Sequence, residues 1–288
     1  MIRINGKTKT CGLFGNPVEH TLSPVIHNNL AEKMGHNLVY VPFLVENDRV
    51  KEAVDAVRAL HLAGVNVTVP HKSAVMEYLD DVEELASKIG AVNTIVPRDG
   101  KLTGYNTDMP GLYRAMQSEN IEVKGEKVLI LGAGGAARSV AMLCATYGAD
   151  KIYMLNRSLD KAIKIGEEVN TLFGKEIVIP MELKDYVKLP DKDYLAIQAT
   201  SVGLFPNCED VVIQDEEFYD YIKTGVDLIY NPETTKFMKL LQKKGKKTMN
   251  GLKMLLYQGI IAYELWNDCK ISEELAAEVL MKMKDELK

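Results

Sequence analysis

The stretch Gly64-Val65-Asn66-Val67-Thr68-Val69-Pro70-His71-Lys72 gathers an amide, a hydroxyl and an ammonium into one short segment. In an extended strand Asn66 and Thr68 share one face, while Val65, Val67 and Val69 share the other. The strand ends at a proline, and Lys72 lies just past its C-terminal edge, where open α/β sheets hold their ligands. Such a row suits a small substrate rich in hydroxyls and carboxylate. A surface strand followed by a solvated lysine accounts for the segment equally well, so the remaining residues must decide.

A second constellation follows. Lys127 to Leu131 reads as a buried strand, Gly132-Ala133-Gly134-Gly135-Ala136-Ala137 comes directly after it, and Arg138 to Tyr147 is helical in pattern. This is G-x-G-x-x-G/A in strand–turn–helix context, with Gly132 at the tight turn and Ala137 at the close-packing position. Backbone amides at the helix start can then approach a pyrophosphate. A plain βα turn is the alternative, and the context makes it the weaker one. The next strand, Lys151 to Leu155, ends in Asn156-Arg157-Ser158-Leu159-Asp160-Lys161. NAD sites usually carry an acid at this tip to accept from the ribose 2′-hydroxyl. Asn156 and Arg157 stand there instead. Arg157 can fork onto a 2′-phosphate, Ser158 can donate a hydroxyl and Lys161 adds charge. The tip favours NADP over NAD, with Asp160 close by as a contrary sign; a surface arginine and a helix cap at Ser158 are the alternative.

Five more features carry weight. Thr21-Leu22-Ser23-Pro24 predicts Ser23 as a helix N-cap with Pro24 at the first helical position, although Thr21 and Ser23 could instead face a ligand. Asn93, in Gly90-Ala91-Val92-Asn93-Thr94, lies among apolar residues in a predicted strand and needs partners, backbone or ligand. Asp108 reads first as the N-cap of a helix and second as a catalytic carboxylate. Asp227, in the strand Val226 to Pro232, is either a buried orienting group or an ordinary strand end. Gln258 has Met254, Leu255, Ile261 and Ala262 as its helical neighbours, so it sits on an apolar face and must find a ligand or a backbone carbonyl.

Short β-rich runs alternate with helical patterns from Cys11 onward: Cys11–Phe14, Pro24–Met34, Val39–Leu44, Asp48–Leu60, Val65–Val69, Ala91–Val96 and Gly111–Glu119. This alternation predicts parallel α/β layers. At 288 residues two domains are the default. Breaks are expected near Asp108–Gly111 and Asn250–Gly251, giving residues 1–110 completed by helices in 251–288, and 111–250 for the nucleotide. A net charge of −5 argues against nucleic acid as the main partner. Cys11, Cys144, Cys208 and Cys269 are far apart, which supports neither a disulfide framework nor a zinc site and fits a reducing compartment. Neither a leader-like apolar run near Met1 nor an uninterrupted membrane span is present, so a cytoplasmic protein is expected, with a homodimer left open.

Over nearly its whole length, and in the right order, the sequence resembles the shikimate dehydrogenase family. The resemblance rests on Gly15-Asn16-Pro17, Thr21-Leu22-Ser23-Pro24-Val25-Ile26-His27-Asn28, Asn66 to Lys72, Gly90 to Thr94 and Asn106-Thr107-Asp108. It continues through the glycine loop, Asn156-Arg157-Ser158, Ala199 to Leu204, Asn250-Gly251-Leu252 and Gln258-Gly259. It implies a two-domain α/β enzyme, a Rossmann NADP-binding domain plus an α/β substrate-binding domain, that reduces 3-dehydroshikimate to shikimate with NADPH in aromatic amino acid (chorismate) biosynthesis. Carried over position by position, Thr21, Ser23, Asn66, Thr68, Lys72, Asn93, Asp108, Tyr230 and Gln258 line the substrate site. Gly132, Ala133, Gly134, Gly135, Ala136, Asn156, Arg157, Ser158, Lys161, Leu228 and Gly251 contact NADP, Glu84 stands near the cleft, and no metal is implied. Lys72 and Asp108 become the catalytic pair, the ammonium giving or polarising toward a proton and the carboxylate orienting it. Asn66, Thr68, Asn93 and Gln258 would read ring hydroxyls, and Thr21, Ser23 and Tyr230 the carboxylate.

Thr21 replaces the commoner serine and keeps the hydroxyl. Gln198 stands where asparagine is frequent, with no effect legible in the sequence. A quinate/shikimate dehydrogenase with NAD or mixed specificity is the alternative within the family; Ser23 and Arg157 point away from it. A non-catalytic module of the same fold would have lost Lys72, Asp108 or the glycine loop. A folate-type NADP dehydrogenase would want a larger, more aromatic pocket than a chain with one tryptophan provides.

Overall fold

The structure is a computed structural model that describes residues 4–287. The chain divides into two compact units, one of Met1–Gly111 with Leu255–Lys288 and one of Leu112–Met254. In chain order the first unit contains β1 (Lys9–Gly15), α1 (Ser23–Met34), β2 (Leu38–Leu44), α2 (Val50–Ala59), β3 (Gly64–Val67), β4 (Asp81–Val82), α3 (Glu84–Ile89), β5 (Thr94–Arg98) and β6 (Lys101–Tyr105). The division falls within α4 (Asp108–Ser118) and again within α8 (Leu252–Asn267), which α9 (Glu273–Glu286) follows.

Six strands form the first sheet in the order β2-β1-β3-β5-β6-β4. β1 is parallel to both β2 and β3, whereas β5 runs antiparallel to β3 and β6. The sequence dictates the covering helices. On α2, Val50, Val54 and Val57 recur at helical spacing and are buried, packing with Phe14, Val65, Val67, Ile95 and Leu102. On α1 the buried stripe is Ser23, Ile26, His27, Leu30 and Ala31. The tryptophan has a definite post: Trp266 Nε1 donates to Ile95 O at 3.0 Å, and its ring occupies the space where a Cβ on Gly64 would lie.

β7 (Lys127–Leu131), α5 (Gly135–Thr146), β8 (Lys151–Asn156), α6 (Leu159–Phe173), β9 (Val178–Glu182), β10 (Tyr194–Gln198), β11 (Ile222–Asp227), α7 (Lys236–Lys243) and β12 (Lys247–Met249) build the second unit. Its sheet is wholly parallel, in the order β12-β11-β10-β7-β8-β9. β7 and β10 are buried on both faces, which explains the continuous apolar runs Val128–Leu131 and Leu195–Ile197. From β7 the chain moves outward first to one side and then, from β10, to the other. The switch point between β7 and β10 is where doubly wound sheets bind nucleotides.

Two predicted boundaries move. β3 ends at Val67, so Thr68 follows the strand and Val69 is exposed rather than sharing the buried valine face. α4 begins at Asp108, three residues before the predicted helix. Among the described residues no helix is long and apolar enough to cross a membrane, and no group of three His, Cys, Asp or Glu could hold a metal ion.

Candidate active site

In the first unit Lys72 Nζ lies 2.6 Å from Asp108 Oδ2, with the two side chains 30% and 22% exposed. The pair is therefore shielded but reachable. Each partner is fixed by its backbone. Lys72 O accepts from Val92 N at 2.8 Å, tying the turn after β3 to the segment that leads into β5. Asp108 is the first residue of α4 and not its cap. Asn106 Oδ1 accepts from Asp108 N and Met109 N at 3.2 and 3.4 Å, which leaves the Asp108 carboxylate to the lysine.

Asn66 and Asn93 are buried and joined. Asn66 Nδ2 donates to Thr94 Oγ1 at 3.0 Å and to Asn93 O at 3.3 Å, and the Thr94 hydroxyl donates to Asn93 Oδ1 at 3.1 Å. Asn93 Oδ1 also accepts from Thr107 N at 2.7 Å and Thr107 Oγ1 at 3.1 Å. Because a backbone N–H can only donate, Asn93 must turn its oxygen inward, and its Nδ2 is the half of the amide that no described residue engages. Asn66, with both amide protons committed, has only an acceptor lone pair left to offer.

Ser23 was expected to cap α1, and the structure corrects this. The capping position is Leu22, in αR conformation and without a side-chain cap bond, and Ser23 is the first helical residue. Thr21 Oγ1 accepts from Ser23 N at 3.2 Å and donates to Ser23 Oγ at 3.1 Å, so the two hydroxyls are neighbours. Thr68 sits against Gly15, where an added Cβ would meet Thr68 Cγ2 at 2.4 Å. Gln258 takes the backbone solution: its Nε2 donates to Leu255 O at 2.8 Å. Among the described residues none donates to its Oε1. A Cβ on Gly111 would lie 2.7 Å from Gln258 N, so α4 and α8 cross here at a distance only glycine allows. Glu84 is exposed on α3 and pairs with Lys88 at 2.5 Å.

The second unit carries the remaining candidates. Gly132 has φ +113°, and a Cβ there would meet Thr200 Cγ2 at 2.7 Å, so both conformation and packing demand glycine. Gly134 precedes α5 as its N-cap, and nothing stands within 4 Å of a Cβ at Gly134 or Gly135. Open space over the amide-rich start of a helix fits a pyrophosphate. Ala133 and Ala136 flank these glycines in the same turn. At the end of β8, Asn156 Nδ2 donates to Ser158 O at 2.8 Å, shaping the tip on which Arg157, Ser158 and Lys161 are exposed. Ser158 occupies the N-cap of α6 without a side-chain cap bond, leaving its hydroxyl available. No acid occupies the tip itself, so the donor set fits a 2′-phosphate. Leu228 and Gly251 adjoin one another: a Cβ on Gly251 would lie 2.1 Å from Leu228 O, and Gly251 N donates to Ile229 O at 3.0 Å. Burial raises the phenol of half-buried Tyr230 above the usual tyrosine range.

Gln198, unread in the sequence, proves to be a buried junction. Its Oε1 accepts from Thr200 N and Thr200 Oγ1 at 2.5 and 2.7 Å, while Nε2 donates to Val202 O and Asp227 Oδ1 at 3.1 and 3.3 Å. Asp227 accepts further from Ile229 N at 3.0 Å and Thr235 Oγ1 at 2.6 Å. Burial pushes its carboxyl up to about 6 despite those hydrogen bonds. Asp227 is thus an orienting group for the loop that packs against Gly132, not an ordinary strand end.

Two family models match this chain: the shikimate dehydrogenase substrate binding domain over residues 13–95, and shikimate / quinate 5-dehydrogenase over residues 114–202. Shikimate dehydrogenase (NADP(+)) of Desulforamulus reducens is 43% identical, over 97% of each chain. The chain belongs to the shikimate dehydrogenase family. Among solved shikimate dehydrogenases, one in complex with NADP+ superposes with a TM-score of 0.87 at 38% identity, covering 99% of this chain and 98% of that one. Shikimate 5-dehydrogenase from Listeria monocytogenes, in complex with shikimate and NAD, gives 0.88 at 32% identity over 96% and 98%. The two shikimate dehydrogenase models span Thr21 to Asn93 and the glycine loop to Lys161; Asp108, Leu228, Tyr230, Gly251 and Gln258 fall outside both matches. Sequence reasoning missed Thr94, Thr107 and Tyr40, whose hydroxyl donates to Asn66 Oδ1 at 2.9 Å. The threonines lie inside the motifs Gly90–Thr94 and Asn106–Asp108 without a role assigned to them; Tyr40 reads as one more residue of an apolar strand.

Proposed function

We propose that this protein is an NADP-dependent shikimate dehydrogenase that reversibly reduces 3-dehydroshikimate to shikimate, a step of aromatic amino acid biosynthesis. The observation that carries the reading is the Lys72–Asp108 pair at 2.6 Å beside the Asn66–Asn93 amide network. Reduction of a carbonyl needs a hydride on carbon and a proton on oxygen. NADPH, when bound, supplies the hydride. Lys72 Nζ carries protons toward the carbonyl oxygen, and Asp108 holds the ammonium by a charge-assisted hydrogen bond. Asn93 donates through Nδ2 to one substrate oxygen, and Asn66 accepts from a hydroxyl. Gln258 Oε1 is a second acceptor, and Thr68 contributes a hydroxyl. Thr21 and Ser23 bind the carboxylate without an arginine, and Tyr230 is the third candidate for it. Gly132 to Ala136 would hold the pyrophosphate and Arg157, Ser158 and Lys161 the 2′-phosphate, while Asn156, Leu228 and Gly251 would contact the remainder of the cofactor. A small-molecule substrate in the cytoplasm, with no nucleic-acid or membrane partner, completes the reading.

The test is a spectrophotometric matrix at 340 nm crossing shikimate and quinate with NADP+ and NAD+. Fast turnover confined to shikimate with NADP+ supports the assignment. Comparable turnover of quinate, or a preference for NAD+, moves the protein to a quinate-using relative and overturns the roles given to Ser23 and Arg157.

A further inference from the structure

The motif Ser23-Pro24-Val25-Ile26-His27-Asn28 contributes only Ser23 to the site above, yet His27 and Asn28 are also engaged. On α1, Ser23 and His27 are one turn apart, and both are buried. Asn28 clamps the backbone of Tyr40 on β2 from both sides, with Tyr40 N donating to Asn28 Oδ1 at 2.8 Å and Asn28 Nδ2 donating to Tyr40 O at 3.1 Å. The His27 ring lies flat on the Tyr40 ring, with centroids 4.2 Å apart and planes 13° from parallel. Trp266 packs at 5.1 Å from His27 and 6.2 Å from Tyr40. His27 is fully buried, with the Asn66 side chain beside its ring. What the buried imidazole presents to Tyr40 is its flat face.

That face supports the tyrosine, whose one polar atom reaches Asn66. Hydrogen bonds then run in a single direction. Tyr40 O–H donates to Asn66 Oδ1, Asn66 Nδ2 to Thr94 Oγ1, and Thr94 O–H to Asn93 Oδ1, where Thr107 N also donates. We propose that Tyr40, braced by His27 and Asn28, is a positioning residue for the substrate: its hydroxyl fixes the Asn66 amide and, through Thr94, the amide of Asn93. The inference rests on the substrate roles given above to those two asparagines. Loss of the Tyr40 hydroxyl leaves the Asn66 amide anchored from its nitrogen side alone, and the acceptor that a substrate hydroxyl needs is held less firmly.

Tyr40→Phe keeps the ring and the stack and removes only the donor. It is expected to raise the shikimate KM about tenfold, to change kcat less than threefold, and to leave the NADP+ KM unchanged. In an Asn66→Ala background the same change should add less than twofold, because the residue through which Tyr40 acts is gone. His27→Ala, which removes the supporting face, should raise the shikimate KM, and His27→Phe should restore it. If Tyr40→Phe does not fold, Thr94→Val interrupts the same chain one step further along and should raise the shikimate KM by a similar factor. A wild-type shikimate KM in Tyr40→Phe or Thr94→Val, or fold-changes that multiply in the double variant, overturns the positioning role while shikimate turnover by the wild type stands. A wild type that turns over no shikimate overturns the proposed function, and this inference with it.

Discussion

The proposed chemistry rests on two side chains, Lys72 and Asp108, paired at 2.6 Å. Lys72→Met keeps the length of the side chain and removes its protons, so turnover should fall about 10³-fold. The melting temperature should stay within a few degrees, because the pair is only partly buried; turnover near wild type would remove Lys72 from the mechanism. Arg157 is exposed, and its proposed role is to recognise the 2′-phosphate. Arg157→Ala should raise the NADPH KM roughly tenfold or more and leave the NADH KM nearly unchanged; equal effects would defeat the assignment. His27 gives a pH prediction. Burial pushes its imidazole down to about 3, the Asn66 side chain opposing only in part. The unfolded chain therefore binds a proton below pH ~6.5 that the folded protein refuses until about 3. Stability from this group is complete above the upper value and is lost as pH falls toward the lower one, by about 1.4 kcal/mol per pH unit. His27→Phe should flatten the urea-unfolding free energy between pH 6 and 4 by that slope, and an unchanged slope would mean that His27 is protonated in the fold.

At the level of elements, the most legible feature was the most local. Strand, glycine turn and helix are contiguous from Lys127 to Thr146, so the pattern of Gly132 to Ala137 needed no distant partner to be read. The alternation of β-rich and helical runs predicts parallel layers, which holds for the second sheet, whereas β5 makes the first sheet mixed. What stayed hidden depends on residues far apart in sequence. Asn66 finds Tyr40 26 residues before it and Thr94 28 residues after it, and Asn93 meets Thr107 14 residues on. Nothing in a strand of valines announces those partners. The cap of α1 was misread for a different reason: Ser23 has the right chemistry, but backbone angles at Leu22 decide where the helix begins. Close element crossings were invisible too. Gly111 reads as an ordinary helical glycine, yet it lets α4 approach the backbone of Gln258. Gly111→Ala should destabilise by about 1–3 kcal/mol through overpacking and should weaken shikimate binding more than NADP+ binding. Calorimetry and the two KM values test both parts, and a neutral effect on both would show that α8 yields without cost.

The whole molecule is organised by a chain that leaves its first unit and returns to it. Helix α9 packs on α1, with Val279 and Met283 buried and Lys33 paired to Glu278. Truncation before Ser272 should therefore injure the Lys72 unit, not the glycine-loop unit nearer in sequence. Hydrogen exchange is expected to show lost protection in β1 to β3 and preserved protection in β7 and β8; the reverse pattern would mean that α9 is dispensable to the first sheet. The same return has a consequence for synthesis. A ribosome adding about 5–20 residues per second needs roughly 7–30 s to make the intervening segment. The contiguous parallel sheet can therefore finish while the mixed sheet still lacks Trp266, which will fill the space above Gly64. The nascent chain is left with a nucleotide-binding half already assembled and an uncovered, aggregation-prone sheet upstream, and that interval is where a chaperone would find its client.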